Sequence, residues 1–288
     1  MSQIRQWRPL RVPEPTASLR AGSGEPLLLI HPFMLSHEVW SDVVPALAGE
    51  YDVVAATLPG HWGGPHLPRR DVSLDAFADG LEELMDDLGW ETAHLAGNSI
   101  GGWLSLELAA RGRARSVTAI APAGGWKRYS LTQMLVGLKF LLIAPAAFLG
   151  RATGDLARTL PYALLRPLLA IVSGRPERMS RRQRQAFVRA TTHCSAFLPF
   201  FWSELSRGKH TQLEHIDVPV RLVLCEKDWL LPPARHRNLF TDRLPNCQVV
   251  EMAGVGHVPM YDDPAAVAEL IAEHAEKSVG DQGSSLAG

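Results

Sequence analysis

Six short apolar runs punctuate the chain, at residues 27–31, 52–58, 93–97, 117–121, 220–225 and 248–252. Most are continuous rather than alternating, the pattern of strands covered on both faces. Between them the period lengthens to that of helices. Ser73 precedes Leu74, Phe77, Leu81, Leu84 and Leu88, which share one helical face with Ser73 as the N-cap. An Ala- and Leu-rich stretch after the third run predicts a helix over 100–111. Pro232 and Pro233 open another helix, and Pro264 opens the last, to about residue 276. Strand–helix alternation of this kind predicts an α/β fold built on a doubly wound, mostly parallel sheet. The first 24 residues hold Pro9, Pro13, Pro15, Gly22 and Gly24, which reads as an irregular or edge-strand lead-in. The tail, 277–288, is small and polar and is expected to fray.

The alternation stops between residues 125 and 215. That stretch is helical in pattern, offers no strand, and is too long for a plain connection. We expect a helical cap domain over 125–215, inserted into a core domain made of 1–124 and 216–288. In an open α/β sheet the cap belongs over the carboxyl edge, where ligands bind. Its most apolar segment, 131–149, is interrupted by Gln133, Lys139 and Pro145. It falls short of the roughly 18 apolar residues of a membrane span. The first fifteen residues lack the apolar core of a signal peptide.

Charge separates the cap from its surroundings. Residues 125–215 carry 14 Lys+Arg against 4 Asp+Glu, a formal +10, leaving −11 for the rest and −1 overall. The balance of 29 basic and 30 acidic residues gives no reason to expect nucleic acid. Within the cap, Arg181, Arg182 and Arg184 stand beside Met179 and Phe187, and 140–143 and 196–202 are apolar. That mixture leads to an expectation of weak peripheral contact with an anionic membrane, the alternative being a solvated or internally paired basic face. At 46% hydrophobic and 20% charged residues the composition is that of an ordinary globular protein. Three cysteines, Cys194, Cys225 and Cys247, make no disulfide framework and no CxxC pair, so a reducing, cytoplasmic setting is expected.

The candidate chemistry begins at Gly97-Asn98-Ser99-Ile100-Gly101, a G-x-S-x-G pattern with a strand entering and a helix leaving. A turn that sharp strains the central residue and brings its neighbours two before and two after together, so both must be small. The N–H of Ile100, at a helix N-terminus, then faces the space beside Ser99 Oγ, where an oxyanion would be stabilised. A serine hydroxyl needs a base. His257 lies in the glycine-flanked loop Gly254-Val255-Gly256-His257-Val258 after the last strand. The base needs an acid. Asp228 follows the strand at 220–225, and Glu226 is near enough to compete. No HExxH, Walker A or GxGxxG pattern occurs, and His31 and His37 stand six apart, so neither metal nor nucleotide cofactor is implied. The thiol in His193-Cys194-Ser195 lacks any oxyanion feature and reads as packed.

In these respects residues 25–276 resemble the α/β-hydrolase fold family. The order Ser99, Asp228, His257 is the triad order of that family. His31-Pro32-Phe33 matches its loop after an early strand, and Leu58-Pro59-Gly60-His61 its Pro-Gly-His turn. By that resemblance the N–H of Phe33 is the second oxyanion donor. Three positions depart from the pattern. Pro32 replaces a Gly, with the His31–Pro32 bond left open as cis or trans. Cys225 replaces the Gly of the Gly-x-x-Asp acid motif. Val258 stands where the carbon–carbon bond hydrolases tend to have Trp. The family's dehalogenases and epoxide hydrolases use an Asp nucleophile, which Ser99 is not.

The resemblance implies a serine hydrolase cleaving an ester or related acyl substrate. From composition, the cap residues Trp126, Leu135, Leu138 and Phe197 are expected to line an apolar acyl pocket, the alternative being that they pack in the core. Thioesterase, carbon–carbon hydrolase and cofactor-free perhydrolase share the same triad, and a low-turnover small-molecule binding protein is the non-enzymatic alternative.

Overall fold

The structure, a computed structural model, describes residues 18–66, 72–126, 129–153, 160–207 and 211–285. Pro9, Pro13, Pro15 and the last three residues lie outside these. Seven strands form one sheet among the described residues: β1 (Ser18–Ala21), β2 (Glu25–Ile30), β3 (Tyr51–Ala56), β4 (Ala93–Asn98), β5 (Ala114–Ile120), β6 (Val220–Cys225) and β7 (Cys247–Met252). Their order is β1-β3-β2-β4-β5-β6-β7, and only the edge pairing β1–β3 is antiparallel.

The continuous apolar runs have the expected cause. Leu28, Ile30, Val54, Leu95, Val117 and Leu222 pack on one face of the sheet, against α2 (Leu74–Asp87) and α3 (Ile100–Ala110). Leu27, Leu29, Val53, Ala55 and Val223 pack on the other, against α1 (Val44–Leu47) and the last helix, Pro264–Ser285. Alternate residues thus face opposite cores, and both cores are apolar. Ser73 caps α2 as anticipated, its side chain accepting from the Ala76 N–H at 3.2 Å.

Between β5 and β6 lie α4 (Leu131–Thr153), α5 (Tyr162–Leu169), α6 (Arg181–Thr192) and α7 (Phe197–Arg207). After β6 come α8 (Pro233–Thr241) and, beyond β7, α9 (Pro264–Ser285). The α4–α7 segment meets the carboxyl edge of the sheet. Phe33, just past β2, contacts Phe140 of α4 and Phe197 and Phe200 of α7, at ring-centroid distances of 6.0, 6.1 and 5.0 Å. The Gly60 carbonyl, past β3, accepts the N–H groups of Ser195 (2.8 Å) and Ala196 (3.2 Å) and the Ser195 hydroxyl (3.1 Å). No described helix is long and apolar enough to cross a membrane.

One expectation about this segment changes. Met179 and Phe187 are buried, and Arg184 packs over the Tyr162 ring while donating to the Met179 carbonyl. Gln183 reaches Asp42 at 2.8 Å and Arg189 reaches Glu38 at 3.4 Å. The apolar side of α6 is therefore interior, not a lipid face. Most of the exposed large apolar side chains sit on α4 and α7 instead: Leu131 is 71% exposed and Trp202 69%, with Met134, Leu138, Leu141, Leu142 and Leu198 also exposed.

Candidate active site

Each expected site residue follows the carboxyl end of a strand: Phe33 after β2, Ser99 after β4, Asp228 after β6 and His257 after β7. Ser99 sits at φ 58, ψ −116, a region that costs a side-chain-bearing residue about 1–3 kcal/mol. The surroundings fix it. Its N–H donates to the Ile120 carbonyl at 2.9 Å, and its carbonyl accepts from Trp103 (3.0 Å) and Ala123 (2.9 Å). Its hydroxyl makes no capping bond to α3.

The two glycines are required by contact. A Cβ on Gly97 would lie 2.1 Å from the Gly101 carbonyl oxygen, and one on Gly101 would lie 2.1 Å from that of Ile30. The turn is thus wedged between its own helix and strand β2.

His257 and Asp228 meet. His257 Nδ1 lies 2.7 Å from Asp228 Oδ2, with both side chains buried. The other oxygen, Oδ1, accepts the Leu231 N–H at 2.7 Å. Glu226 turns elsewhere, accepting the Gly254 N–H at 2.6 Å on the exposed side of the same turn. Cys225 in place of Gly does not disturb this loop, because the Asp228 N–H still closes a turn onto the Cys225 carbonyl at 3.1 Å. With Nδ1 held by the carboxylate, Nε2 is the ring nitrogen of His257 that the carboxylate leaves free.

The loop after β2 is shaped by His31. Its Nε2 accepts the Leu58 N–H at 3.0 Å, so Nδ1 carries the proton and donates to the Pro32 carbonyl at 2.8 Å. Burial holds His31 well below the usual imidazole range, keeping it the neutral ring this double role needs. The His31–Pro32 bond is trans, since no peptide bond among the described residues is cis. The Leu35 N–H closes a turn onto Pro32 at 3.1 Å, with Met34 at φ 65. Neither the Phe33 nor the Ile100 N–H is taken by a backbone acceptor among the described residues.

Ser99, His257, Phe33, Phe140 and Leu230 line two cavities that meet at the serine. The large one, about 550 Å³, runs between α4 and α7 past Trp103, Trp126, Leu135 and Phe201. The small one, about 40 Å³, runs toward α5 and α6 past Leu168, Val172, Phe187 and Thr191. Of the expected pocket residues, Trp126, Leu135 and Leu138 line the large arm. Phe197 does not. It stacks on Phe33, while its helix turns Phe200, Phe201 and Glu204 to the cavity. Cys194 is packed, its thiol pushed up to about 12 by burial. Among the described residues no cluster of His, Cys, Asp or Glu is placed to hold a metal ion.

Three residues at the site escape sequence reasoning. Asn98 is buried beside the serine and donates to the carbonyls of Ile120 (3.0 Å) and His257 (2.9 Å), joining the serine turn to the histidine loop. Asp262, also buried, accepts from Ser173 Oγ (2.6 Å) and the N–H groups of Gly174 (2.9 Å), Arg175 (2.9 Å) and Gly256 (2.7 Å). It ties the turn after α5 to the residue before His257. The Val258 N–H adds a bond to the Val172 carbonyl at 2.8 Å. The third, Glu204, is a carboxyl on the wall of the large arm. Asn98 lies inside the G-x-S-x-G motif and Asp262 five residues past His257, but no local pattern names their partners.

Comparison with known proteins agrees with this architecture. Residues 27–270 match the model of the alpha/beta hydrolase family. The epoxide hydrolase EphH of Mycobacterium tuberculosis is 42% identical over 207 residues, covering 72% of this chain and 96% of that protein. A thermophilic esterase from Thermogutta terrifontis superposes with a TM-score of 0.70 at 21% identity, over 91% of this chain and 93% of that one. A meta-cleavage product hydrolase from Pseudomonas fluorescens superposes with a TM-score of 0.71 at 20% identity, over 91% and 94%. On the sheet order, the strained turn at Ser99 and this family match, the chain belongs to the alpha/beta hydrolase family.

Proposed function

We propose that this hydrolase cleaves an ester or related acyl substrate through Ser99, His257 and Asp228. The observation that carries the reading is the Asp228–His257 contact of 2.7 Å on the same cavity as the strained Ser99. Ser99 Oγ attacks the carbonyl carbon and gives its proton to His257 Nε2. The N–H groups of Phe33 and Ile100 hold the oxyanion. On collapse the leaving group takes the proton from His257 and the acyl group stays on Ser99. Water then attacks the acyl carbon, its proton passing to His257, and the acid departs as Ser99 regains its hydrogen. No cofactor takes part.

The two arms indicate the substrate's shape. The large arm takes an apolar group of considerable size. The small arm, at about 40 Å³, suits water or a short alcohol, since one water needs roughly 10–15 Å³.

A second reading comes from the 42% identity to a protein named an epoxide hydrolase. Chemistry weighs against it. An epoxide opened by the Ser99 oxygen would leave an ether on the enzyme, which has no carbonyl for water to attack. Epoxide turnover here would need His257 to activate water directly. One experiment separates the readings: fluorophosphonate labelling, with a panel of esters, thioesters and epoxides, on the wild type and Ser99→Ala. Labelling at Ser99 with ester turnover lost in Ser99→Ala supports the serine reading. Epoxide turnover that survives Ser99→Ala overturns it, and failure of labelling with no turnover favours a binding protein.

The proposed weak contact with anionic membrane moves with the exposed side chains to α4 and α7. Cosedimentation with anionic and neutral vesicles at low and high salt tests it; equal, negligible pelleting refutes it.

A further inference from the structure

Glu204 is the one carboxyl group among the described residues that line the large arm. Its helix, α7, places it one turn beyond Phe200, with Phe201 alongside, in a wall that away from Ser99 and His257 is aromatic and aliphatic except for Gln133. Glu204 is partly buried, and even partial burial of a carboxyl in such a wall is costly unless it is well paired. The protein pairs it poorly. Its Oε1 accepts a single long bond, 3.4 Å, from the Leu74 N–H at the start of α2. That helix start already has its cap in Ser73 and carries its own acid, Asp75, beside Glu204. Burial and the neighbouring Asp75 push the Glu204 carboxyl up to about 7. The Ser73 cap serves Ala76, and Glu204 adds only the long bond from Leu74, which leaves most of the carboxyl's accepting capacity facing the arm. A carboxylate offers about four acceptor positions, and Leu74 uses one.

We propose that Glu204 is the polar anchor of the large arm, and that the acyl group it selects is long and apolar but carries a hydrogen-bond donor, hydroxyl or amine, remote from the ester. This rests on the reading of Ser99 as the reacting group, which places the ester at the junction of the arms. The donor then meets Glu204 inside the arm, where a plain hydrocarbon chain leaves the carboxyl with only its long bond from Leu74. A hydrogen bond to a charged group is worth enough to change affinity by about tenfold or more.

The test measures binding, so that it does not depend on turnover. The Ser99→Ala protein is titrated at pH 8 with methyl decanoate and with its 6-, 8- and 10-hydroxy and amino derivatives. Emission of Trp103 and Trp126, which line the arm, gives Kd. At least one donor-bearing ester is expected to bind about tenfold tighter than the parent. In a Ser99→Ala, Glu204→Leu protein the preference is expected to reverse, the parent binding better than every derivative. Glu204→Gln in the same background keeps the shape and is expected to lose the preference for the amine. Hydroxyl and amine arms together distinguish a neutral from a cationic donor. If every derivative binds more weakly than the parent by the same factor in all three proteins, the proposal is wrong. Failure of Ser99 labelling would sink the catalytic reading without touching these Kd values.

Discussion

Replacing Asp228 by Asn tests the roles assigned to the two buried side chains, and the structure sets the size of the effect. Asp228 serves two donors at once, the His257 ring through Oδ2 and the Leu231 N–H through Oδ1, each at 2.7 Å. Asn has one acceptor oxygen and must choose. If the oxygen stays on Leu231, the amide NH₂ faces His257 Nδ1 and selects the tautomer with its proton on Nε2. That tautomer cannot take the serine proton. If the amide flips, His257 keeps its tautomer but NH₂ confronts the buried Leu231 N–H, leaving donors unsatisfied at about 1–3 kcal/mol. The satisfied, unproductive orientation wins, so the competent tautomer becomes a minor population, roughly ten- to a hundredfold depleted. Loss of the carboxylate charge that steadies the imidazolium removes a further 1.5–3 kcal/mol or so. We therefore expect kcat/KM on a chromogenic ester to fall by about 10³–10⁴, with little change in melting temperature. Glu226→Gln retains an acceptor for the Gly254 N–H and should cost less than about threefold, a near-neutral surface change. A tenth or more of wild-type activity in Asp228→Asn, or the larger loss in Glu226→Gln, would refute the assignment.

Further outcomes follow from the packing. Gly101→Ala drives a Cβ into the Ile30 carbonyl and should destabilise by more than about 3 kcal/mol in urea titration, whereas Gly80→Ala, a helical position with open space, should stabilise by up to ~1 kcal/mol; equal effects would contradict the close approach. Asp262→Asn replaces an acceptor of four donors and should lower stability by about 2–4 kcal/mol and kcat more than KM, read by thermal melts and ester kinetics; an unchanged kcat would show that the Gly256 contact does not position His257. Burial lowers His61 and His274 to about 4, so the unfolded chain takes up their protons first as pH falls. Stability is then fully present above about 6.5 and lost between about 6.5 and 4, on the order of 2–3 kcal/mol per histidine. A flat stability profile over that range, by urea titration at each pH, would contradict it.

The elements most legible in the sequence are those whose cause is local. Six strands were readable as apolar runs because both faces of the sheet are covered, and Ser73 and the prolines of α8 and α9 mark helix starts by backbone chemistry. β1 is harder: four residues at an antiparallel edge carry no apolar run. The proposed site residues Ser99, Asp228 and His257 are legible because a strained turn and two loop ends need recognisable residues. Asp262 and Asn98 were not, because their meaning lies in partners 87–89 and 159 residues away. Glu204 joins them, bonding across 130 residues to Leu74. Periodicity named the apolar side of α6 but not its cover. Met179 and Phe187 look toward the core as readily as toward lipid until the core is seen.

The glycines of the turn after α5 have a mechanical consequence. A Cβ on Gly174 would fall 2.7 Å from the Gly254 carbonyl oxygen, and one on Gly256 would fall 2.5 Å from the Gly174 nitrogen, so two backbones run in contact there. With Gly60 holding the start of α7, that seam fixes one margin of the α4–α7 segment to the sheet. The opposite margin is latched by Lys139, whose Nζ donates to the carbonyls of Trp229 and Leu230 in the loop beyond Asp228. Lys139 shares that task with Phe140, which packs on Phe33, and with the buried Ile143 and Ala144, so α4 is tied at several points along the large arm. Hydrogen exchange should be slow at Gly174, Gly256 and Ser195 and faster along α4, with Lys139→Met accelerating α4 alone; acceleration spreading to Gly256 would show that the two margins are not independent.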